Sequence, residues 1–360
     1  MPSVTVPALD LNVDVETLTR QLVDIESVSR NEAAIADAVE QALQGVGHLE
    51  VLRDGNSVLA RTSTDRAERV VIAGHLDTVP VNANLPARVD DQYLHGLGSC
   101  DMKGGVAVGL LLAASIDRPN RDVTYLFYEC EEIEAKHNGL GRLARSRPEL
   151  LAADFAILME PSGAVVEAGC QGTMRVDVVV RGERAHSARA WMGVNAIHAA
   201  APVLDRLVSY QARQPVIDGL TYREGLNAVG VDGGGAGNVL PDECRIAVNY
   251  RFAPDRSVDE ALAHLSAVFA GFEIVLRDAA PGALPGLDRP AAAAFVAAVG
   301  GEPQPKFGWT DVAQFTAIGV PAVNFGPGDP SLAHTQAERV PLAHLRHCED
   351  RMRSWLDTPV

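Results

Sequence analysis

Two histidines and a dispersed set of carboxylates are the chemically capable residues of this 360-residue chain: His75 with Asp77, then Asp101, the adjacent pair Glu131–Glu132, Glu160 and, near the far end, His334. Three of these groups follow strand-like apolar runs. Arg69 to Ala73 leads into His75, Val123 to Tyr128 into Glu131–Glu132, and Phe155 to Met159 into Glu160. Imidazole nitrogens and carboxylate oxygens are donors suited to zinc, and a bridging carboxylate can hold two ions about 3.5 to 4 Å apart around one water. The set therefore reads as a two-zinc hydrolytic site, with one glutamate left to move protons.

Each residue also has a plainer reading. His75 alone would be an ordinary core or surface histidine, but Asp77 two positions on offers the carboxylate that usually orients a ligating imidazole. Asp101 lies in the glycine-rich turn 98–105, where helix capping competes with metal bridging; a phosphate loop would want a serine or threonine where Gly104 follows Lys103. Glu131 and Glu132 repel each other and, without the other donors, would be a solvated acidic face continuing to Glu134. With them, Glu132 is the ligand and Glu131 the base that takes a proton from water. His186, in the run 184–189, is either a loop histidine or an oxyanion donor reaching a site from a neighbouring domain.

The elements that must position these groups have two characters. Ser29 with Glu32 forms a capping-box signature ahead of Ile35, Val39 and Leu43 at helical spacing, and residues 103–115 read as a helix starting beside Asp101. Buried strands with polar groups at their carboxyl ends are the pattern of an open α/β sheet, whose ligands bind at that edge. A last buried strand, 318–324, precedes the turn 326–328 and His334. From Gly172 to Ala280 the pattern changes: residues 173–180 alternate at Met174, Val176, Val178 and Val180, and residues 245–252 at Ile246, Val248, Tyr250 and Phe252, with a long apolar-faced helix over 196–210 between them. An α+β domain over 172–280 is expected to interrupt a catalytic domain formed by 1–171 and 281–360.

Bulk composition narrows the function. The formal charge of −16 argues against nucleic acid or an anionic membrane as partner, and means that an anionic substrate needs local arginines or metal ions. Arg251 is the arginine to watch. No apolar run is long enough to span a bilayer, and Met1–Asp14 lacks the apolar stretch of a secretory signal, so a cytoplasmic location is expected. Five cysteines without a CxxC pair suggest packed thiols rather than disulfides or a thiolate metal site.

The stretches 73–80 (AGHLDTVP), 101–105 (DMKGG), 129–132 (ECEE), 159–162 (MEPS) and 184–189 (RAHSAR) closely resemble the co-catalytic zinc amidohydrolases, a family of aminoacylases, acetylornithine deacetylases and succinyl-diaminopimelate desuccinylases. The stretches 167–176, 219–227, 237–242, 249–257 and 306–312 are similar to its actinobacterial desuccinylase branch. The resemblance implies a zinc-peptidase-like catalytic domain with a mixed central sheet flanked by helices, interrupted by an inserted α+β dimerisation (lid) domain. It implies two zinc ions per subunit, with cobalt as a substitute: His75 and Glu160 on one, Glu132 and His334 on the other, Asp101 bridging. Glu131 would be the general base, Asp77 the partner of His75, and His186, Asn238 and Arg251 substrate contacts in a homodimer. The implied reaction is hydrolysis of N-succinyl-L,L-2,6-diaminopimelate in lysine and cell-wall precursor synthesis. Gln314 stands where that branch carries arginine, and Cys170–Gln171 where proteobacterial members carry two arginines. A related N-acyl-amino-acid deacylase, a dipeptidase or a catalytically silent zinc-binding dimer are the alternatives.

Overall fold

A computed structural model describes residues 7–357; the outermost residues, including the first six of Met1–Asp14, fall outside it. The chain divides into two compact units, one made of the segments up to Gly169, Pro285–Gln304 and Thr310 onward, the other of Cys170–Leu284 and Pro305–Trp309.

The first unit is built on an eight-stranded sheet in the order Glu50–Asp54, Ser57–Arg61, Asp122–Tyr128, Arg69–His75, Phe155–Leu158, Ala322–Asn324, Glu167–Ala168, Gln304–Pro305. Its four central strands are parallel, and they pair antiparallel with Ser57–Arg61 on one side and Glu167–Ala168 on the other, so the sheet is mixed. His75 pairs with Tyr128, and Ala73 with Leu158, which brings the carboxyl ends of three strands level. These strands are buried along nearly their whole length, as parallel strands covered on both faces must be. The helix Lys103–Ser115 is buried almost all round, and its start fits because Gly105 has no side chain: a Cβ there would stand 2.1 Å from the Met159 carbonyl oxygen.

The second unit is a four-stranded antiparallel sheet in the order Gly225–Gly233, Glu243–Phe252, Gly172–Arg181, Glu273–Ala280. Met174, Val176, Val178 and Val180 alternate inward and meet Ile246, Val248, Tyr250 and Phe252 in one core with the helix Val258–Val268.

Three local expectations are revised. The helix Ala33–Gln44 begins without a side-chain cap: the Ser29 hydroxyl donates instead to Asp77 at 2.7 Å, and Glu32 accepts from the Arg30 N–H. The long helix over 196–210 is two helices, Ala196–Ala199 and Ala201–Ser209, meeting at Ala200 just before Pro202, whose missing N–H suits a first turn. The strand expected over 318–324 shortens to Ala322–Asn324, because a helix Val312–Ala317 runs up to Ile318 and Gly319, at φ +83°, makes the turn after it.

Candidate metal centre

His75 ends its strand fully buried, with Nε2 3.1 Å from Asp101 Oδ1. The other Asp101 oxygen faces His334 Nε2 at 3.4 Å, and His334 Nε2 also lies 2.9 Å from Glu132 Oε1. One carboxylate thus offers an oxygen to each of two histidines. Two donor groups follow, His75–Asp101–Glu160 and Asp101–Glu132–His334, sharing only Asp101, and within each group the donor atoms lie within 4.8 Å of one another. Glu131 joins His75 and Glu132 in a third grouping of the same kind. All of these residues belong to the first unit.

The electrostatics suit cations. Burial pushes the carboxyl of Glu131 well above its usual range, and neighbouring Glu132 adds to this despite His75. Glu132 is raised for the same first reason. Asp101, although buried, is held well below the usual carboxylate range by its hydrogen bonds to His334 and His75. Those contacts lift His334 to about 10, and they overcome burial to raise His75 as well. Four carboxylates against two imidazoles, in a site buried at His75 and Glu160 and open at His334, is a surplus of negative charge that two divalent ions would answer, and the mixed nitrogen and oxygen donors match zinc. Asp101 suits the bridging place and Glu131 is left without a ligand's task.

Asp77 does more than sequence reasoning assigned it. His75 Nδ1 sits 3.0 Å from the Asp77 carbonyl oxygen and 3.5 Å from its carboxylate. The carboxylate itself accepts the backbone N–H groups of Glu131 at 3.0 Å and Glu132 at 3.1 Å, besides the Ser29 hydroxyl. One buried side chain therefore sets the place of both glutamates and touches the histidine. Glu338 holds Asp101 in a similar way, its Oε1 accepting the N–H groups of Cys100 and Asp101 at 3.1 and 3.2 Å. Its spacing, four residues after His334, was the only sequence signal of it.

Two further groups near the site had no role in the sequence reading. Lys103 is buried and donates to the Ile25 carbonyl at 2.7 Å. Asp311, in the run 306–312, accepts from Asn138 at 2.8 Å, and burial pushes its carboxyl up to about 6. Asn138 also caps the helix Gly139–Ser146, so this pair ties the segment after Glu132 to the start of the helix Val312–Ala317. Cys130 gives its S–H to Glu32 at 3.2 Å, and burial pushes its thiol up to about 12, which suits packing rather than reaction.

His186, Asn238 and Arg251 stand in the second unit. His186 and Asn238 adjoin, the Ser187 N–H donating to the Asn238 carbonyl at 2.9 Å. The exposed His186 ring accepts the Ala188 N–H at Nδ1, which leaves Nε2 as the protonated nitrogen, free to donate. Arg251 lies on the strand Glu243–Phe252 opposite Thr173 and Gly225, its guanidinium pushed down by burial and by Arg175. Among the described residues no helix is long and apolar enough to cross a membrane.

Comparison with known proteins identifies the family. The sequence profile of Peptidase family M20/M25/M40 matches residues 71–358. A Mycobacterium tuberculosis protein provisionally named succinyl-diaminopimelate desuccinylase is 56% identical over 351 residues, covering 97% of this chain and 99% of its own. The succinyl-diaminopimelate desuccinylase of Corynebacterium glutamicum is 46% identical over 362 residues, covering 97% and 98%. Among solved structures, a Bacillus subtilis dinuclear metal-binding peptidase shares the fold with a TM-score of 0.69 at 18% identity, covering 95% of this chain and 96% of that one. The two donor groups around Asp101, the profile match and the close relatives lead to one assignment: the chain belongs to peptidase family M20/M25/M40, the metal-dependent hydrolases.

Proposed function

We propose that this protein hydrolyses N-succinyl-L,L-2,6-diaminopimelate to succinate and L,L-diaminopimelate, using two zinc ions per chain. The observation that carries the chemistry is the Asp101 carboxylate presenting one oxygen to each histidine, with Glu131 beside them. The substrate follows from the names of the relatives at 56% and 46% identity. His75, Asp101 and Glu160 would hold one ion, and Asp101, Glu132 and His334 the other. Bound there, the pair would polarise the amide carbonyl and acidify a water molecule. Glu131 takes the proton of the attacking water and hands it to the leaving amine nitrogen, so that one water is consumed and one amide bond broken. A carboxyl raised by burial is a stronger base than an ordinary glutamate, which suits this transfer. His186 donates its Nε2–H to the developing oxyanion, and Arg251 meets a substrate carboxylate.

A homodimer through the second unit belongs to the same reading. Among the described residues its outer strand Gly225–Gly233 has one unpaired edge and exposes Val229 and Val231, and Trp191 and Val208 are 80% and 88% exposed. A second copy would cover this edge and these apolar side chains.

The deciding experiment strips metal with a chelator, restores zinc or cobalt, and compares turnover of N-succinyl-L,L-diaminopimelate, N-acetylornithine and a dipeptide. Preference for the first by about tenfold or more in kcat/KM is expected, and faster turnover of either other substrate overturns the assignment. Glu131→Gln should keep two zinc ions per chain and lose turnover.

A further inference from the structure

Outside the metal centre, three basic residues stand in one row. In the three-stranded sheet Arg339–Pro341, Tyr93–His95, Arg88–Val89, His95 pairs directly with Arg339 on one side and Arg88 on the other. Side chains directly opposite on neighbouring strands share a face, so the two arginines stand on one face with the His95 ring between them. Asp90 answers His95 at 2.8 Å, its own carboxyl held down to about 2, first by the Gln92 N–H and then by His95. Among the described residues, neither arginine has a carboxylate within ion-pair distance; the Arg339 guanidinium lies over the Tyr93 ring at 5.0 Å, and its buried Nε has no hydrogen-bond partner.

The row opens on a cavity of about 470 Å³ lined also by Asn84, Pro86, Gln336 and Glu338. That volume suits a small metabolite. Glu338, the one acidic wall residue, is buried, with Oε1 already taken by the Cys100 and Asp101 N–H groups. Asp329 acts on Arg339 only from beyond ion-pair distance, and in a chain with a formal charge of −16 two arginines facing one cavity without a direct ion pair need an explanation.

We propose that this cavity is a second binding site, distinct from the metal centre, for a small dicarboxylate held between Arg88 and Arg339. The two arginines are two strand spacings apart, roughly 10 Å along the sheet, which fits two separated carboxylates better than one compact anion. The occupant would touch the loop that places Asp101, since the Gly96 N–H donates to the Glu338 carbonyl at 3.2 Å and the Glu338 side chain holds the Asp101 backbone. Occupancy therefore bears on the metal centre through Glu338.

The test is calorimetric titration of succinate and of glutarate into the zinc-loaded protein and into the Arg88→Gln/Arg339→Gln double variant. Two dicarboxylates per chain are expected for the parent and one for the variant, with turnover in the absence of added dicarboxylate unchanged. The exposed single change Arg88→Gln, safe for folding, should weaken the second site by about tenfold or more. Inorganic phosphate should compete poorly. Equal stoichiometry in parent and variants, or a second site that Arg88→Gln leaves at full affinity, overturns the proposal.

Discussion

Changing Asp77 to asparagine tests the arrangement of the metal centre most sharply. The carboxylate receives three donors: Glu131 N–H on one oxygen, and Glu132 N–H with the Ser29 hydroxyl on the other. Asparagine keeps one acceptor oxygen. If that oxygen stays with Glu132 and Ser29, the amide NH2 group faces the Glu131 N–H, donor against donor, in a site with no solvent access to Asp77. A buried N–H that loses a charged acceptor costs about 2 to 3 kcal/mol, which is about 30- to 150-fold in rate if the cost falls on the placement of Glu131. Loss of the charge beside His75 Nδ1 adds a fall in metal affinity of about 10- to 100-fold. The assay is steady-state turnover at saturating zinc, with zinc affinity measured separately by chelator competition, so that the two effects separate. The expected result is a fall in kcat that excess zinc does not repair. Ser29→Ala, which removes only a hydroxyl donor, should cost about 1 kcal/mol or less. If Asp77→Asn keeps kcat within about threefold of the parent at saturating zinc, the carboxylate does not position the base and the reasoning fails.

Burial pushes the Lys103 ammonium down to about 7, so the folded chain releases this proton while the unfolded chain still holds it, and stability should rise with pH between about 7 and 10. The rise attributable to Lys103 is on the order of 4 kcal/mol, and guanidinium unfolding at both ends of that range should show it shrinking in Lys103→Met. Gly105→Ala places a Cβ 2.1 Å from the Met159 carbonyl, next to Glu160; differential scanning calorimetry should show a loss of about 1 to 3 kcal/mol, and titration a weaker hold on zinc. Val208→Asp, at a residue 88% exposed, should leave the fold intact; the proposed homodimer predicts a dimeric parent and a monomeric variant in analytical ultracentrifugation, and a monomeric parent overturns it.

Much of the candidate site could be read from the chain because each donor follows its own local pattern. A buried strand announces itself by an apolar run, and the polar residue at or just past its end must emerge at the sheet's edge; His75, the last residue of its strand, and Glu131–Glu132 and Glu160, beyond theirs, are all of this kind. The alternation of Met174, Val176, Val178 and Val180, and of Ile246, Val248, Tyr250 and Phe252, likewise marked a sheet with one main apolar face, although Val179 is buried as well. Tertiary structure alone decided where polar groups found partners far away in sequence. Ser29 had a local use as a helix cap, yet a buried carboxylate 48 residues on was the stronger acceptor. Glu338 reaches the Asp101 backbone across 237 residues, and His334 reaches Glu132 across 202. Periodicity reports how one segment meets the core, whereas the pairing of a hydroxyl, an imidazole or a carboxylate depends on which segments the fold packs together, and that is settled by the whole chain at once.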